Sequence, residues 1–191
     1  MLVITGPSGV GKGTLIRALR ERVPGLELSV SATTREPRPG ERDGHDYHFL
    51  SAAEFDRRLR AGEFLEHATY AGNRYGTPRS ELDRVGGRSG ARGLVLEIEL
   101  QGARQVREAL PEAVQVFIAP PSVDALRARL VGRGADTPNQ IEERLEAARR
   151  ELDARTEFRH VIENDRLERA AEELGDLVAS IWGPGPRGAP Q

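Results

Sequence analysis

The sequence predicts an α/β fold in which a mostly parallel sheet is wrapped by helices. Three observations support this prediction. Short apolar runs alternate with helical segments, a glycine-rich loop joins the first run to the first helix, and 191 residues suffice for one α/β domain. The runs predict strands at Leu2–Ile4, Leu94–Ile98, Val114–Ile118 and His160–Ile162, with a further candidate at Leu28–Val30.

Helices are predicted where apolar residues recur at helical spacing behind a capping signal. Ser51-x-x-Glu54 predicts a helix through about Arg60, and Thr137-Pro138-x-Gln140 predicts another with proline at its first position. A last helix is expected from about Asp165. The glycine- and proline-rich stretch 183–191 has nothing to pack, so we expect it to be disordered.

Composition and charge narrow the possible functions. The formal net charge is −2 with both signs interspersed, which argues against a broad nucleic-acid or membrane surface. The sequence has no cysteine, so disulfides, thiol catalysis and cysteine-bound metals are excluded. The apolar N-terminal run is too short for a signal peptide or a membrane span, so a cytoplasmic protein is expected.

A glycine-rich segment, Gly6-Pro7-Ser8-Gly9-Val10-Gly11-Lys12-Gly13-Thr14, holds the only lysine among 28 basic side chains. A compact ammonium fits between phosphates where a planar guanidinium would clash, which gives this lysine a chemical reason. The segment lies at a strand-to-helix junction, where free N–H groups and the helix dipole attract anions. The pattern therefore predicts a phosphate-binding loop.

A second polar segment, from Ser31 to Phe49, is too polar and proline-rich for sheet core and is interpreted as an inserted binding segment. Arg35 and Arg38 lie three residues apart on a proline-stiffened backbone, with Tyr47 nearby. Two such guanidinium groups can converge on one anion through bidentate hydrogen bonds.

Together with these two segments, further motifs make the chain resemble the guanylate kinase family along nearly its whole length. The further motifs that carry the resemblance are Phe64-Leu65-Glu66, Gly72-Asn73-x-Tyr75-Gly76-Thr77, Glu97-Ile98-Glu99-Leu100-Gln101-Gly102, Ile118-Ala119-Pro120-Pro121-Ser122, Arg129-x-x-x-Arg133-Gly134 and Asn164-Asp165. The resemblance implies a three-layer P-loop NTPase fold over 1–182. It divides this domain into a core of 1–33, 85–128 and 140–182, a nucleoside-monophosphate-binding insertion of 34–84 and a lid of 129–139.

The resemblance also implies an activity, the transfer of a phosphoryl group from ATP to GMP, and a set of site residues. It assigns ATP to the loop from Gly6 to Thr14 and to Asn164, and catalysis to Lys12, Arg129, Arg133 and Arg144. It assigns the GMP phosphate to Arg35, Arg38, Tyr47 and Tyr75, and guanine to Ser31, Glu66, Thr77 and Glu99. Mg²⁺ would be bound mainly through ATP, with Thr14 and Glu97 as candidate protein ligands because Gly13 stands where a hydroxyl is usual.

The guanine assignment has independent chemical sense. Guanine presents N1–H and N2–H₂ donors side by side, and an ionised carboxylate offers two acceptor oxygens that match them. Adenine has an acceptor at N1, so a carboxylate such as that of Glu66 could reject AMP by a factor on the order of 10⁴.

Two other classes of function compete with a nucleotide kinase. A kinase of a phosphorylated sugar would need no guanine-facing residues, and a phosphopeptide-binding module of the same fold would have lost the loop that Lys12 and its glycines retain. A regulatory P-loop switch would need effector segments that the sequence lacks. ATP and GMP are the expected partners, and the sequence leaves the oligomeric state open.

Overall fold

A computed structural model describes residues 1–70, 72–132, 134 and 137–183 of the chain. Its strands are β1 Leu2–Thr5, β2 Leu26–Leu28, β3 Ala32–Thr33, β4 His48–Phe49, β5 Phe64–Tyr70, β6 Asn73–Pro78, β7 Gly93–Glu97, β8 Val114–Ala119 and β9 His160–Glu163. Its helices are α1 Lys12–Arg22, α2 Ala52–Arg60, α3 Ser80–Gly86, α4 Leu100–Ala109, α5 Val123–Gly132, α6 Pro138–Asp153 and α7 Leu167–Trp182, with a short 3₁₀-helix at Ala154–Glu157.

The predicted α/β fold with a mostly parallel core sheet is confirmed. Five strands form this sheet in the order β2-β7-β1-β8-β9, and the alternation of strands with helices follows the predicted pattern. The strand predicted at Leu28–Val30 lies earlier, at Leu26–Leu28. It ends there because the Val30 N–H donates to the carboxylate of Glu81 at 2.8 Å and not to a neighbouring strand.

A second sheet of four strands, in the order β4-β3-β6-β5, was not predicted. Strand β3 runs parallel to β4 and antiparallel to β6, and β5 and β6 form an antiparallel pair. The expectation that the Ser31–Phe49 segment avoids sheet core was wrong at its two ends. Ala32 and Thr33 are small enough to be fully buried, and the Thr33 hydroxyl donates to the carbonyl of Arg74 at 3.0 Å.

Both predicted capping signals begin helices. Ser51 Oγ accepts a hydrogen bond from the Glu54 N–H at 3.1 Å and caps α2. Thr137 caps α6 with the full reciprocal capping box and proline in its first turn. Helix α7 begins at Leu167, two residues after the predicted start. The reason is that Arg166, the residue before the helix, has extended backbone, and its N–H donates to the Asp165 side chain at 2.6 Å.

The chain divides into two compact units. Unit one consists of 1–3 and 27–114, and unit two of 4–26 and the chain from 115 onward. In unit one, Phe55 stacks on Phe64 with ring centroids 4.5 Å apart. In unit two, α5 packs on α6 through a cluster that contains Leu126 and Leu145. The finer division into core, insertion and lid stays a prediction.

Some predictions fall on residues that are not described. These are the catalytic role of Arg133 and the disorder of the tail from 184 onward, which both lie outside the described ranges. Across the ranges that are described, no helix is both long enough and apolar enough to cross a membrane.

Candidate nucleotide-binding sites

The phosphate-binding loop of residues 6–14 lies in unit two and is built from backbone. Lys12 is the first residue of α1, and only 8% of it is exposed. Its Nζ donates to the carbonyl oxygens of Gly6 at 2.5 Å and Pro7 at 3.3 Å. The ammonium is therefore held inside its own loop, where an incoming phosphate could take over these donors.

Three of the loop glycines, Gly6, Gly9 and Gly11, have left-handed backbone and no room for a side chain, and Gly6 and Gly11 show this most directly. Gly6 has a φ of 138°, and a Cβ there would collide with the backbone carbonyl of Ile118. Gly11 precedes α1 with a φ of 97°, and a Cβ there would lie 2.8 Å from Asn164 Nδ2. No side chain caps α1, so its first N–H groups keep their attraction for an anion.

Two of the predicted site residues, Asn164 and Arg129, donate hydrogen bonds to the backbone carbonyl of Val10. Asn164 Nδ2 donates to this oxygen at 2.8 Å, and Arg129 Nη1 donates to it at 3.0 Å. Arg129 Nη2 also donates to the backbone carbonyl of Asn164 at 2.6 Å. Both side chains thus support the phosphate-binding loop directly, an arrangement that sequence reasoning missed. Their contacts with nucleotide stay predictions.

The remaining predicted residues of unit two are more exposed. Thr14 presents its side chain on the exposed face of the first turn of α1. Arg144 is half-buried on α6, and Arg133 lies outside the described residues.

Unit one holds a buried acidic cluster, which consists of Glu66, Thr77 and Glu99. Glu66 on β5 is only 3% exposed and pairs across the ladder with Thr77 on β6. The Thr77 hydroxyl donates to Glu66 Oε1 at 2.7 Å. Burial raises the pKa of Glu66 to about 7, the Thr77 hydrogen bonds oppose this rise, and the charge of Glu99 adds to it.

Glu99 supplies a second acceptor in the same cluster. It directly precedes α4, and its Oε2 is buried without a hydrogen-bond partner among the described residues. A buried acceptor without a partner is uncommon in proteins and is expected where a ligand completes the site. Ser31 lies just before β3, whose Ala32 pairs with Gly76, the neighbour of Thr77.

The predicted phosphate anchors of unit one surround a carboxylate that sequence reasoning did not single out. Arg35 Nη2 donates to both oxygens of Glu41, at 2.9 and 3.0 Å, and the backbone N–H of Arg38 donates to the same carboxylate at 2.7 Å. The guanidinium of Arg35 lies 5.4 Å from the ring centroid of Tyr47, which packs edge-on against Tyr75. The spacing of Arg35 and Glu41 across a proline–glycine turn is the signal that could have revealed the pair.

The ion pair shifts the pKa values of both Arg35 and Glu41. The hydrogen bond that Arg35 donates to Glu41 is the largest cause that raises the pKa of Arg35 and also the largest cause that lowers the pKa of Glu41. Both groups are therefore charged over the whole physiological range. The side chain of Arg38, by contrast, is exposed.

Glu97, the candidate magnesium ligand of unit one, ends β7 and acts on Tyr47. Burial is the main cause that raises the pKa of the Tyr47 phenol, and the charge of Glu97 is the next. In the described part of the chain, no group of three or more acidic or histidine side chains is placed to hold a metal ion.

A glycine-rich loop between β1 and α1 on a mostly parallel sheet defines a P-loop nucleotide-binding protein. The family model described as guanylate kinase matches residues 1–181. The guanylate kinase of Frankia casuarinae is 55% identical over 181 residues, which cover 93% of this chain and 96% of the relative. That of Synechococcus sp. strain CC9311 is also 55% identical, over 90% of both chains.

A solved structure agrees with these relatives. The crystal structure of guanylate kinase from Anaplasma phagocytophilum is 34% identical, has a TM-score of 0.74, and matches 95% of this chain and 85% of its own. The chain belongs to the guanylate kinase family.

Proposed function

We propose that this protein transfers the γ-phosphoryl group of ATP to GMP and so forms ADP and GDP. The observation that carries the proposal is the buried Glu66, bound to Thr77 beside the unpartnered Oε2 of Glu99, in a chain that also has an intact phosphate-binding loop. A cytoplasmic location fits such an enzyme of nucleotide metabolism, whose substrates would be ATP and GMP.

The acidic cluster suits guanine in particular. Thr77 occupies one lone pair of Glu66 Oε1, which leaves the carboxylate with further acceptor positions for N–H donors. Glu99 Oε2 is a second acceptor at the same cluster. Guanine N1–H and N2–H₂ would bind these oxygens, with Ser31 as the remaining base contact, whereas adenine would bring its N1 acceptor against them.

Arg35, Tyr47 and Tyr75 are grouped in a way that suits the phosphate of GMP. Arg35 and the two phenols would bind its oxygens, and the exposed Arg38 would reach it from the same segment. Because phosphate carries more charge than a carboxylate, it can compete with Glu41 for Arg35.

Catalysis would come from positioning and charge neutralisation, since phosphoryl transfer needs little covalent chemistry from the protein. Lys12 would exchange its loop carbonyls for the β- and γ-phosphates, and the N–H groups from Gly6 to Thr14 would bind the β-phosphate. Mg²⁺, when bound with ATP, neutralises charge on these phosphates. The exposed hydroxyl of Thr14 and the carboxylate of Glu97 are oxygen donors of the kind that it prefers.

Three arginines complete the proposed site. Arg129, Arg133 and Arg144 would stabilise the charge that develops on the transferred group. Arg129 would have to leave or share its present acceptors, the carbonyls of Val10 and Asn164. We further propose that 34–84 acts as the GMP-binding insertion and 129–139 as the lid, which exclude water from the reaction.

The experiment that tests the function measures ADP formed from ATP and Mg²⁺ with GMP, AMP, CMP or UMP as separate acceptors. Rapid transfer to GMP alone is expected. If GMP is not phosphorylated while the protein still binds ATP, the proposed activity is wrong. Transfer to a phosphorylated sugar in place of GMP would identify the competing kinase class.

A further inference from the structure

We propose that Gly102 is a specificity-determining residue, because its missing side chain leaves the space that the Glu66 carboxylate occupies. The inference rests on the proposed function and extends it to a residue with no assigned role. A Cβ at Gly102 would lie 2.8 Å from Glu66 Cδ and closer still to Oε2. Such approaches do not occur between real atoms, so any side chain at position 102 must displace the carboxylate.

Backbone conformation does not explain this glycine. Gly102 lies in the first turn of α4 with ordinary helical geometry, where alanine would favour the helix more than glycine does. A glycine that weakens its helix calls for a packing reason. At Gly175, in the middle of α7, a new Cβ would have no heavy atom within 4 Å. Close packing against Glu66 therefore distinguishes Gly102 from Gly175.

Helix α4 cannot easily retreat to make room. Gln105, one turn further along the helix, donates to the carbonyl of His67 at 2.6 Å and accepts the N–H of His67 at 3.0 Å. Gln101 accepts the N–H of Thr69 at 3.4 Å. The amides bind the helix to β5 on both sides of Gly102, and His67 is the residue next to Glu66.

Glu66 cannot move without loss either. Its Oε1 is held by the Thr77 hydroxyl at 2.7 Å, and the side chain is buried on β5. A methyl group at position 102 would push the carboxylate off this bond and turn its acceptors away from the guanine edge. The cost falls on base recognition, since the phosphate-binding loop belongs to unit two.

The test compares Gly102→Ala with the matched control Gly175→Ala in steady-state assays with ATP, GMP and AMP. Gly102→Ala is expected to raise the KM for GMP at least about tenfold, the loss of one hydrogen bond to a charged group. The KM for ATP should not change, and Gly175→Ala should behave as wild type. An unchanged KM for GMP in Gly102→Ala would overturn the proposal, whereas a wild type that does not phosphorylate GMP would overturn the proposed function instead.

A double-mutant cycle tests whether Gly102→Ala acts by displacing the Glu66 carboxylate or by destabilising the protein in general. Glu66→Asp withdraws the carboxylate by one methylene, so its own KM for GMP should rise, but adding Gly102→Ala should then cost little more. If the two effects multiply as independent changes, Gly102 does not act through Glu66 and the inference fails. The same double variant decides the question if Gly102→Ala alone does not fold. A folded double variant with the KM of Glu66→Asp supports it, and an unfolded one contradicts it.

Discussion

The phosphate-binding loop and the acidic cluster are built in opposite ways. The loop takes its function from one continuous stretch of backbone, in which Gly6 and Gly11 adopt conformations that other residues avoid. The acidic cluster takes its function from side chains on β5, β6 and the start of α4. A site built from backbone can therefore be recognised in one short stretch of sequence, whereas a site built from side chains depends on how distant elements pack.

Substitution of Lys12 should reduce activity most, because it disables the phosphate-binding loop and leaves the acidic cluster intact. Lys12→Ala removes the ammonium that would neutralise the β- and γ-phosphates, so kcat should fall by a factor on the order of 10³. GMP binding, measured by calorimetry, should persist. The exposed Arg17→Ala in the same helix serves as control. Retention of kcat in Lys12→Ala would remove the loop from the mechanism.

The next effect breaks the acidic cluster and leaves the loop intact. Glu66→Gln replaces one acceptor oxygen by an N–H₂ donor that faces guanine donors, so the KM for GMP should rise by about two orders of magnitude. Discrimination against AMP should fall with it, while the KM for ATP stays constant. Glu108→Gln, on the exposed face of α4, is the matched control. Undiminished preference for GMP would assign base recognition elsewhere.

The acidic cluster and the phosphate-binding loop should also differ in how pH changes the KM of their nucleotides, and this effect is smaller. Guanine needs the ionised form of Glu66, whose pKa is raised to about 7 in the free protein. The KM for GMP should therefore rise as pH falls below 7, by up to about tenfold per unit. The KM for ATP should lack this dependence on Glu66.

The GMP phosphate also titrates near pH 6, so the comparison requires a reference. Glu66→Gln provides it, because its remaining pH dependence reports the phosphate alone. Equal profiles for wild type and variant would show that Glu66 does not titrate in this range.

The smallest change in activity is expected from Asn164, which supports the phosphate-binding loop through the Val10 carbonyl. Asn164→Ala removes one of the two side-chain donors to the Val10 carbonyl. The KM for ATP should rise several-fold, the cost of about one neutral hydrogen bond. The KM for GMP should be unaffected. An identical increase for both nucleotides would point to a general loss of stability.

The same contrast explains what the sequence could predict. Four strands of the core sheet (β1, β7, β8 and β9), the helix that follows the loop and the caps Ser51 and Thr137 all depend on neighbours in the chain, and their predictions are confirmed, whereas β2 begins two residues before its predicted start. The hairpin of β5 and β6 was not predicted. It carries Glu66 and Arg74 in place of a clear apolar alternation, because its charged residues serve a site or an ion pair.

The site residues also differ in whether the local sequence or tertiary packing determines their contacts. The loop was predicted from its own pattern, and the family resemblance added the members of the acidic cluster. Neither could predict that Arg129 and Asn164 share the Val10 carbonyl, since that contact joins α5, the end of β9 and the loop through tertiary packing. The partnership of Glu41 with Arg35 was missed because an acidic residue in a basic segment is usually solvated.

The bond between Arg35 and Glu41 means that the segment proposed to bind GMP carries its own counterion. Under the proposed function, binding of GMP would be an exchange of one anion for another, not the filling of an empty cationic site. A nucleoside without phosphate offers nothing to exchange, and dissolved chloride is a poor rival for a carboxylate held by two hydrogen bonds. In the proposed site, this pairing would keep the Arg35 guanidinium from binding ordinary anions of its surroundings until the phosphate of GMP displaces Glu41.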